Sequence, residues 1–263
     1  MRASATSLIA LARMAGSYKR SISIFLVGQL HLPAAILAGN GTTTPDPHRH
    51  RADVSVEILT QPYLSEAQAL CDVARLFGER QWCLATGGNF SVRIDRTRCL
   101  ITRSGTDKAQ LAVEDLMVCD LNGAPVDASL KPSAETALHT CLYKLDERIA
   151  SVLHTHSVIS TVTSRAEYSD LVIRGFEMQK AIDGVKSHDE RLILPILENT
   201  QDIAQLAKAV RERYALGHMR AFGFLVRGHG LYAWGETLAG AKRHVEGLEF
   251  LLACKWQERL LDQ

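Results

Sequence analysis

The sequence predicts a fold of the α/β or α+β class, in which layers of helix cover one largely antiparallel sheet. Apolar residues recur at helical spacing over 64–77 and again over 133–145. Between and after these segments lie short runs rich in Val, Ile, Leu and Phe, several of which alternate with polar residues and end at glycine turns. Helices mixed with strands of this kind are typical of one layered domain.

Helix and strand signals follow one another from residue 62 onwards, without an internal repeat. Ser65 and Glu66 open the first helix, and Ser133 is the expected N-cap of the second. The sequence predicts four helices: one to about residue 77, one over 133–145, one that starts at 199–202 and ends at about 214, and a closing helix over about 236–260. It predicts strands over 84–94, 99–106, 151–159, 192–197, 222–226 and 231–234, and a hairpin over 113–120 with its turn at 122–123.

Residues 1–55 differ in composition from the rest of the chain. Asp46 is the first acidic residue, while four basic residues precede an apolar run over 21–39. That run contains a glutamine, a histidine and a proline and is marginal as a membrane span. Three interpretations compete: a targeting segment, an upstream start codon that lengthens the chain, and a peripheral helix. We expect an N-terminal extension over 1–55, disordered or misassigned, and a catalytic domain over 56–263.

Composition narrows the range of functions. The chain has 263 residues, 46% of them hydrophobic, and a net charge of +1, which is typical of a globular protein of ordinary size. No run of Lys and Arg marks a surface for the phosphate backbone of a nucleic acid, so nucleic-acid binding is not expected. The six cysteines form no C-x-x-C pair and lie among apolar neighbours, as expected of buried thiols in the cytoplasm.

Three histidines are candidate metal ligands. His154 and His156 alternate on the predicted strand over 151–159, so both point to the same face, roughly 6.6 Å apart along the backbone. His229 lies between two glycines in a turn between strands. Each histidine alone fits a hydrogen-bonded structural role. Together they match an open catalytic site with three protein ligands, and imidazole suits zinc, copper, iron or nickel.

Two carboxylates compete for the role of acid and base. Glu135 lies at the start of a predicted helix, where an ordinary interpretation is a surface glutamate stabilised by the helix dipole. Glu177 follows the histidine strand after one intervening segment and also fits an ordinary charged position in an amphipathic stretch.

Turns rich in hydroxyl groups and glycine are candidate sites for an anion. They lie over 86–89 and 102–106 and at Ser133, where backbone N–H groups and a helix dipole favour a phosphate. Each turn alone is an ordinary turn of a globular protein, and three in one domain make anion binding as good an interpretation as a purely structural role.

Five motifs, in this order, resemble those of the class II aldolase/adducin family: TGGNFS at 86–91, ITRSG at 101–105, PSAET at 132–136, HTH at 154–156 and RGHG at 227–230. The resemblance covers about residues 60–260, and the first 55 residues have no counterpart in it. Within the family, the segments over 175–180, 195–200 and 226–237 are similar to a dehydratase branch of the methionine salvage pathway.

The resemblance implies a fold, a metal and a set of roles. It implies a helix-flanked, largely antiparallel sheet, a homotetramer with active sites at subunit interfaces, and one zinc ion per subunit on His154, His156 and His229. The acid–base glutamate corresponds to Glu177 in the dehydratase branch and to Glu135 in the aldolase branch. If Glu177 has that role, Glu135 could instead contact the substrate or be a resting-state metal ligand. Phosphate binding falls to a set of five residues: Asn89, Thr102, Ser104, Gly105 and Ser133.

The expected substrate is a small phosphorylated ketose with a methylthio group, from which the enzyme removes water. If one carboxylate both takes and returns the proton, its pKa needs to be raised by desolvation. The alternatives are a class II sugar-phosphate aldolase or 4-epimerase that uses Glu135, and a non-catalytic assembly domain like that of adducin. We expect neither a nucleic acid nor a membrane as partner.

Overall fold

The computed structural model of the chain describes residues 61–262. The predicted extension over 1–55 lies outside these residues, so the proposed boundary with a domain over 56–263 stays a prediction. Within 61–262, no helix combines the length and the apolar character that a bilayer crossing requires.

Five α-helices and nine strands form the described part of the chain. The helices are α1 (Leu64–Glu79), α2 (Thr136–Leu145), α3 (Val158–Ala166), α4 (Ile203–Ala215) and α5 (Leu238–Leu261). The strands are β1 (Asn89–Arg93), β2 (Arg98–Thr102), β3 (Leu116–Asp120), β4 (Ser151–Thr155), β5 (Leu171–Ile173), β6 (Leu192–Leu194), β7 (Ile196–Leu197), β8 (Gly223–Val226) and β9 (Gly230–Gly235). Short 3-10 helices lie at Gln61–Tyr63, Lys108–Gln110, Val113–Asp115 and Glu177–Ala181.

Seven of these strands form one sheet in the order β3-β2-β1-β4-β9-β8-β7. The pairs are antiparallel except β7 with β8, which is parallel. Strands β5 and β6 form a separate antiparallel pair. The prediction of a largely antiparallel central sheet is therefore confirmed, and β4, the histidine strand, lies at its centre.

The sheet separates two hydrophobic cores, one on each face. Adjacent residues of β4 point to opposite faces, so that Val152 joins the core beneath α2 and α4 while Leu153 joins the core beneath α1 and α5. This helix–sheet–helix layering is the predicted α/β architecture. His154 shares the face of Val152, and its ring stacks on Tyr232 with centroids 3.8 Å apart.

The predicted N-cap at Ser133 is wrong. Helix α2 begins at Thr136, and Glu135 occupies its N-cap position without a side-chain cap. The Ser133 hydroxyl instead accepts a hydrogen bond from the N–H of Glu135 at 3.3 Å, inside a turn that precedes the helix. Pro132 bridges to Arg103 of the neighbouring segment, and this tertiary contact outcompetes the local capping signal.

The single strand predicted over 192–197 is two strands. Pro195 separates β6 from β7 because proline has no N–H to donate to a strand ladder. Its carbonyl oxygen accepts a hydrogen bond from the N–H of Leu225 at 2.8 Å. The chain thus pairs first with β5 and then with β8.

Candidate metal centre

Four side chains from three distant parts of the chain converge at the C-terminal end of the central strand β4. Glu135, His154, His156 and His229 each offer one ligand atom, and these atoms all lie within 4.8 Å of one another. The three Nε2 atoms are 2.7 Å (His154 to His156), 3.0 Å (His156 to His229) and 3.3 Å (His154 to His229) apart. Two imidazole nitrogens on one tetrahedral zinc lie about 3.3 Å apart, so this cluster has the dimensions of a metal site.

Strand pairing brings the histidines together. Strand β4 carries His154 and leads directly to His156, and it pairs with β9, which starts just after His229. The Nδ1–H of His154 donates to the carbonyl of Leu231 at 2.9 Å, so that in the neutral ring the Nε2 lone pair points at the cluster and can bind a cation. The turn that carries His229 is held by α3, since the hydroxyl of Thr161 donates to the His229 carbonyl at 2.9 Å.

Two glycines make room for this arrangement. A Cβ on Gly230 would lie 2.0 Å from the carbonyl oxygen of Thr155, so only glycine permits the close approach of β9 to β4 there. A Cβ on Gly87 would lie 3.0 Å from Nδ1 of His156. The glycine turn before β1 therefore forms one wall against the ring of His156.

Glu135 faces the histidine nitrogens directly. Its Oε1 lies 3.1 Å from Nε2 of His229 and 3.6 Å from Nε2 of His154, and its Oε2 accepts a hydrogen bond of 2.5 Å from Nδ2 of Asn89. Burial opposes ionisation of this carboxyl, but hydrogen bonds and charge from His154 and His229 hold its pKa well below the ordinary value. Burial, with the two neighbouring histidines, lowers the pKa of His156 to about 3, so this ring is a neutral ligand at pH 7.

A buried chain of hydrogen bonds supports Glu135 from behind. His139 Nε2 bonds to Oδ1 of Asn89, and its Nδ1 lies 2.7 Å from the hydroxyl of Ser91. Tyr143 completes the chain, with its hydroxyl 2.7 Å from that of Ser91. Burial lowers the pKa of His139 to about 3, so the neutral ring orients the Asn89 amide towards Glu135.

Glu177 lies outside this cluster. Its side chain is 69% exposed, and the carboxylate bonds to Lys180 and lies 3.0 Å from Nδ1 of His188. The pKa of Glu177 is lowered, chiefly by the hydrogen bond from Lys180. An acid–base carboxylate was expected to have a raised pKa. In the single chain the pKa of Glu177 is not raised, because the ammonium of Lys180 stabilises the charged form.

The predicted phosphate-binding residues divide into two groups. Asn89 and Thr102 are buried and engaged internally, the amide with Glu135 and the hydroxyl as acceptor from the N–H of Phe90 at 3.2 Å. Ser104 and Gly105 are exposed, and Gly105 has a φ of +79°. The bridge between Arg103 and Pro132 places the turn of Ser104 and Gly105 beside the turn of Ser133. These three residues form the second group, which is accessible to a ligand.

Sequence reasoning missed Lys108 and Glu249, two buried charged residues near the cluster. The Lys108 ammonium donates to the carbonyls of Thr86 and Thr106 at 3.0 and 2.8 Å, joining two predicted anion-binding turns, and burial lowers its pKa. Glu249 is 4% exposed on α5, and burial raises its pKa to about 7. The one available signal was a glutamate next to Leu248 in the apolar stripe of the closing helix.

Comparisons with known proteins agree on one family. Residues 68–256 match the model described as the Class II Aldolase and Adducin N-terminal domain. The chain is 51% identical over 195 residues to methylthioribulose-1-phosphate dehydratase of Pectobacterium atrosepticum, covering 74% of this chain and 95% of that protein. The protein of the same name from Yersinia pestis is also 51% identical, covering 74% of this chain and 87% of that one.

Solved structures share the fold. The YgbL protein of Escherichia coli aligns with a TM-score of 0.62 and 25% identity, over 72% of this chain and 87% of that one. The L-fuculose-1-phosphate aldolase of Thermus thermophilus aligns with a TM-score of 0.60 and 26% identity, over 75% of this chain and 97% of that one.

Proposed function

The chain belongs to the class II aldolase and adducin family, and from that premise we propose that it removes water from 5-methylthioribulose 1-phosphate. The product is 2,3-diketo-5-methylthiopentyl 1-phosphate, an intermediate of methionine salvage. The observation that carries this proposal is the convergence of three Nε2 atoms beside a carboxylate. The 51% identity to dehydratases of that substrate selects the reaction within the family.

The donor set fits a zinc ion. Three neutral imidazoles suit zinc, and three protein ligands would leave a position for substrate. His154, His156 and His229 would hold the ion, with Glu135 as a further ligand or as an acceptor that orients the histidines. When bound, zinc would act as a Lewis acid that stabilises negative charge developing on substrate oxygens.

We assign the proton transfers to Glu177. The substrate has a ketone at carbon 2 and hydroxyls at carbons 3 and 4, so the carboxylate would take the proton from carbon 3. It would then deliver a proton to the leaving hydroxyl at carbon 4, releasing water. The remaining enol tautomerises to the diketone, which balances the reaction without any oxidant or reductant.

The exposure of Glu177 in one chain is consistent with a site completed by a neighbouring subunit. Large apolar side chains are exposed on the same segments: Leu84 before the Gly87 turn, Val158 after His156, and Met178 beside Glu177. A homotetramer that covers these side chains would exclude water from Glu177 and raise its pKa.

The phosphate would bind at the accessible turns of Ser104, Gly105 and Ser133, with Asn89 and Thr102 shaping the turns from beneath. We place the enzyme in the cytoplasm. The six cysteines are free thiols and five of them are buried, as expected in a reducing compartment.

One observation favours a second candidate, a class II sugar-phosphate aldolase or 4-epimerase: the carboxylate in the cluster is Glu135, not Glu177. An adducin-like assembly role is less well supported, because all three histidines are present and converge.

The test is to load the purified protein with zinc, add 5-methylthioribulose 1-phosphate and measure diketone formation. His229→Ala should abolish zinc binding and turnover, whereas His218→Ala, in an exposed loop, should retain both. Cleavage of a ketose phosphate to dihydroxyacetone phosphate, without diketone formation, would establish the aldolase instead. Absence of stoichiometric zinc together with absence of both reactions would favour the assembly role.

A further inference from the structure

A buried carboxylate lies directly behind the end of the histidine strand. Glu249 projects from α5, and its two oxygens accept hydrogen bonds from two hydroxyls, Thr155 Oγ1 at 2.9 Å and Ser157 Oγ at 2.6 Å. These two residues flank His156 on either side. The contacts join parts of the chain that are 94 and 92 residues apart, so they are features of the tertiary fold.

Glu249 is a polar residue on an otherwise apolar face of α5. Its neighbours Val245, Leu248 and Leu252 on the same helix are all buried. Within residues 61–262 no Lys, Arg or His lies within ion-pair distance of its carboxylate. A buried charge without a cation is costly, so hydrophobic stabilisation does not explain this residue.

The hydroxyl of Ser157 makes three contacts. Its Oγ is the N-cap acceptor for the N–H of Ser160 at 2.9 Å, and its proton lies between two acceptors, Glu249 Oε2 at 2.6 Å and Ser160 Oγ at 2.9 Å, of which the carboxylate is the nearer. The hydroxyl of Thr155 supplies the second proton. A carboxylate can accept both bonds, whereas a glutamine would present an amide N–H₂ to one of the two hydroxyls.

His156 depends on this support more than His154 does. The ring of His154 is oriented by its own Nδ1–H bond to Leu231, but Nδ1 of His156 has no hydrogen-bond partner among the described residues. The backbone of His156 is held by the bond from its N–H to the Trp82 carbonyl at 2.7 Å. The residues on either side of His156, Thr155 and Ser157, are hydrogen-bonded to Glu249.

We propose that Glu249 is a positioning residue: by binding the hydroxyls of Thr155 and Ser157, it fixes the backbone that presents His156 to the metal. The inference rests on the proposed metal centre, in which ligand orientation by groups behind the ligands strengthens metal binding. Glu249 is not among the four residues whose ligand atoms converge, so it would act through His156 and not as a ligand.

The experiment titrates metal-free full-length protein with Co²⁺, whose visible absorption reports ligand number and geometry. Wild type should give the intense spectrum of a four- or five-coordinate site. Glu249→Gln should bind Co²⁺ about 10- to 100-fold more weakly, with an altered spectrum. The matched control is Glu246→Gln on the same helix, whose carboxylate pairs at the surface with Arg80 at 2.9 Å and should leave affinity and spectrum unchanged.

A second variant covers the case in which Glu249→Gln does not fold. Thr155→Val keeps the shape of the side chain but removes one of the two hydroxyls, and we expect it to weaken Co²⁺ binding as well. In a double-mutant cycle, the effects of Thr155→Val and Glu249→Gln on affinity should be less than additive, because they remove the same bond.

The outcomes separate this inference from the proposed function. Wild-type affinity and spectrum in Glu249→Gln, or in Thr155→Val if the first variant is unfolded, would overturn the positioning role while leaving the metal centre intact. Failure of the wild-type protein itself to bind Co²⁺ would refute the metal centre and the inference together. A lower melting temperature of Glu249→Gln with unchanged Co²⁺ binding would likewise refute the positioning role and leave Glu249 a purely structural residue.

Discussion

Two regions of the molecule carry the two glutamates that compete for one catalytic role, and they differ in almost every physical respect. Glu135 lies beside the end of the central strand with 17% of its side chain exposed, and its two oxygens face nitrogen atoms of His154, His229 and Asn89. Glu177 lies in a short 3-10 helix, is 69% exposed, and contacts surface partners.

The difference shows that proximity to the histidines and exposure to solvent are divided between the two candidate glutamates. Glu135 is held as a charged acceptor by the groups around it, which suits a residue that orients ligands. Glu177 contacts only surface residues in one chain, so its pKa and its capacity for proton transfer depend on whether a neighbouring subunit buries it. The experiments below test this contrast, from the largest expected effect to the smallest.

The sharpest test compares Glu177→Gln with Glu135→Gln at saturating zinc. We expect Glu177→Gln to lower kcat about 1,000-fold with unchanged zinc content, because acid–base groups contribute about 10²- to 10⁴-fold. Glu135→Gln should lower kcat by about 10-fold and mainly weaken zinc binding. Steady-state kinetics with metal analysis measures both, and the reverse ranking would make Glu135 the acid–base residue.

Glycine substitutions test the rigidity of the two regions. Gly230→Ala should lower the free energy of unfolding by about 3 kcal/mol, since the added Cβ meets the Thr155 carbonyl oxygen in a backbone ladder that cannot shift. Gly184→Ala, near the Glu177 helix, meets no atom within 4 Å and should cost only about 1 kcal/mol, for its φ of +79°. Urea unfolding of both variants gives the comparison, and equal losses would contradict it.

The buried histidine behind Glu135 should make the cluster region sensitive to acid. Burial lowers the pKa of His139 to about 3 from 6.5, so the unfolded chain binds a proton that the folded chain does not between these values. This group's contribution to stability is therefore complete above pH 6.5 and is lost as the pH falls towards 3, by about 1.4 kcal/mol per pH unit.

The matched variant for that prediction is His139→Gln, which cannot titrate. Urea unfolding of both metal-free proteins between pH 4 and 6 should show a slope of stability against pH that is shallower by one proton in the variant. His156 and His244 titrate in both proteins and cancel in the difference. Identical slopes would show that the ring is not kept neutral by folding.

The smallest effect is expected at the surface around Glu177. Lys180→Ala removes an ion pair whose side chains are 48% and 69% exposed, and solvent screening leaves such pairs little influence on stability. We expect no measurable change in melting temperature. A clear loss would show that the Glu177 segment is already ordered by this pair in the single chain.

Local sequence signals account for much of the fold because they depend on near neighbours. The apolar residues over 151–159 and the glycine turn at 227–230 predicted strands at β4 and β9 and three histidines facing one region, but β4 ends at Thr155 and helix α3 begins at Val158. Asp202 lies in the segment predicted to cap a helix, and its side chain accepts from the N–H groups of Ala204 and Gln205 in α4. The same kind of reasoning failed at Ser133, where a bridge from Pro132 to Arg103 changed the start of the helix.

Site residues that depend on contacts between distant parts of the chain could not be predicted from the sequence. His139 was assigned no special role, yet its ring orients Asn89, which lies 50 residues earlier in the chain. Glu249 is separated from Ser157 by 92 residues. Spacing within one element cannot reveal either contact, because each depends on how the helices pack over the sheet.

The pairing of β4 with β9 also determines when the histidine cluster can form during synthesis of the chain. His229 follows His156 by 73 residues, so a nascent chain that has emerged only as far as His156 displays two of the three imidazoles. The third arrives with the β8–β9 hairpin, and Glu249 arrives later still, on the last helix. The complete cluster of three imidazoles and Glu135 therefore forms only late in synthesis, after most of the polypeptide has been made.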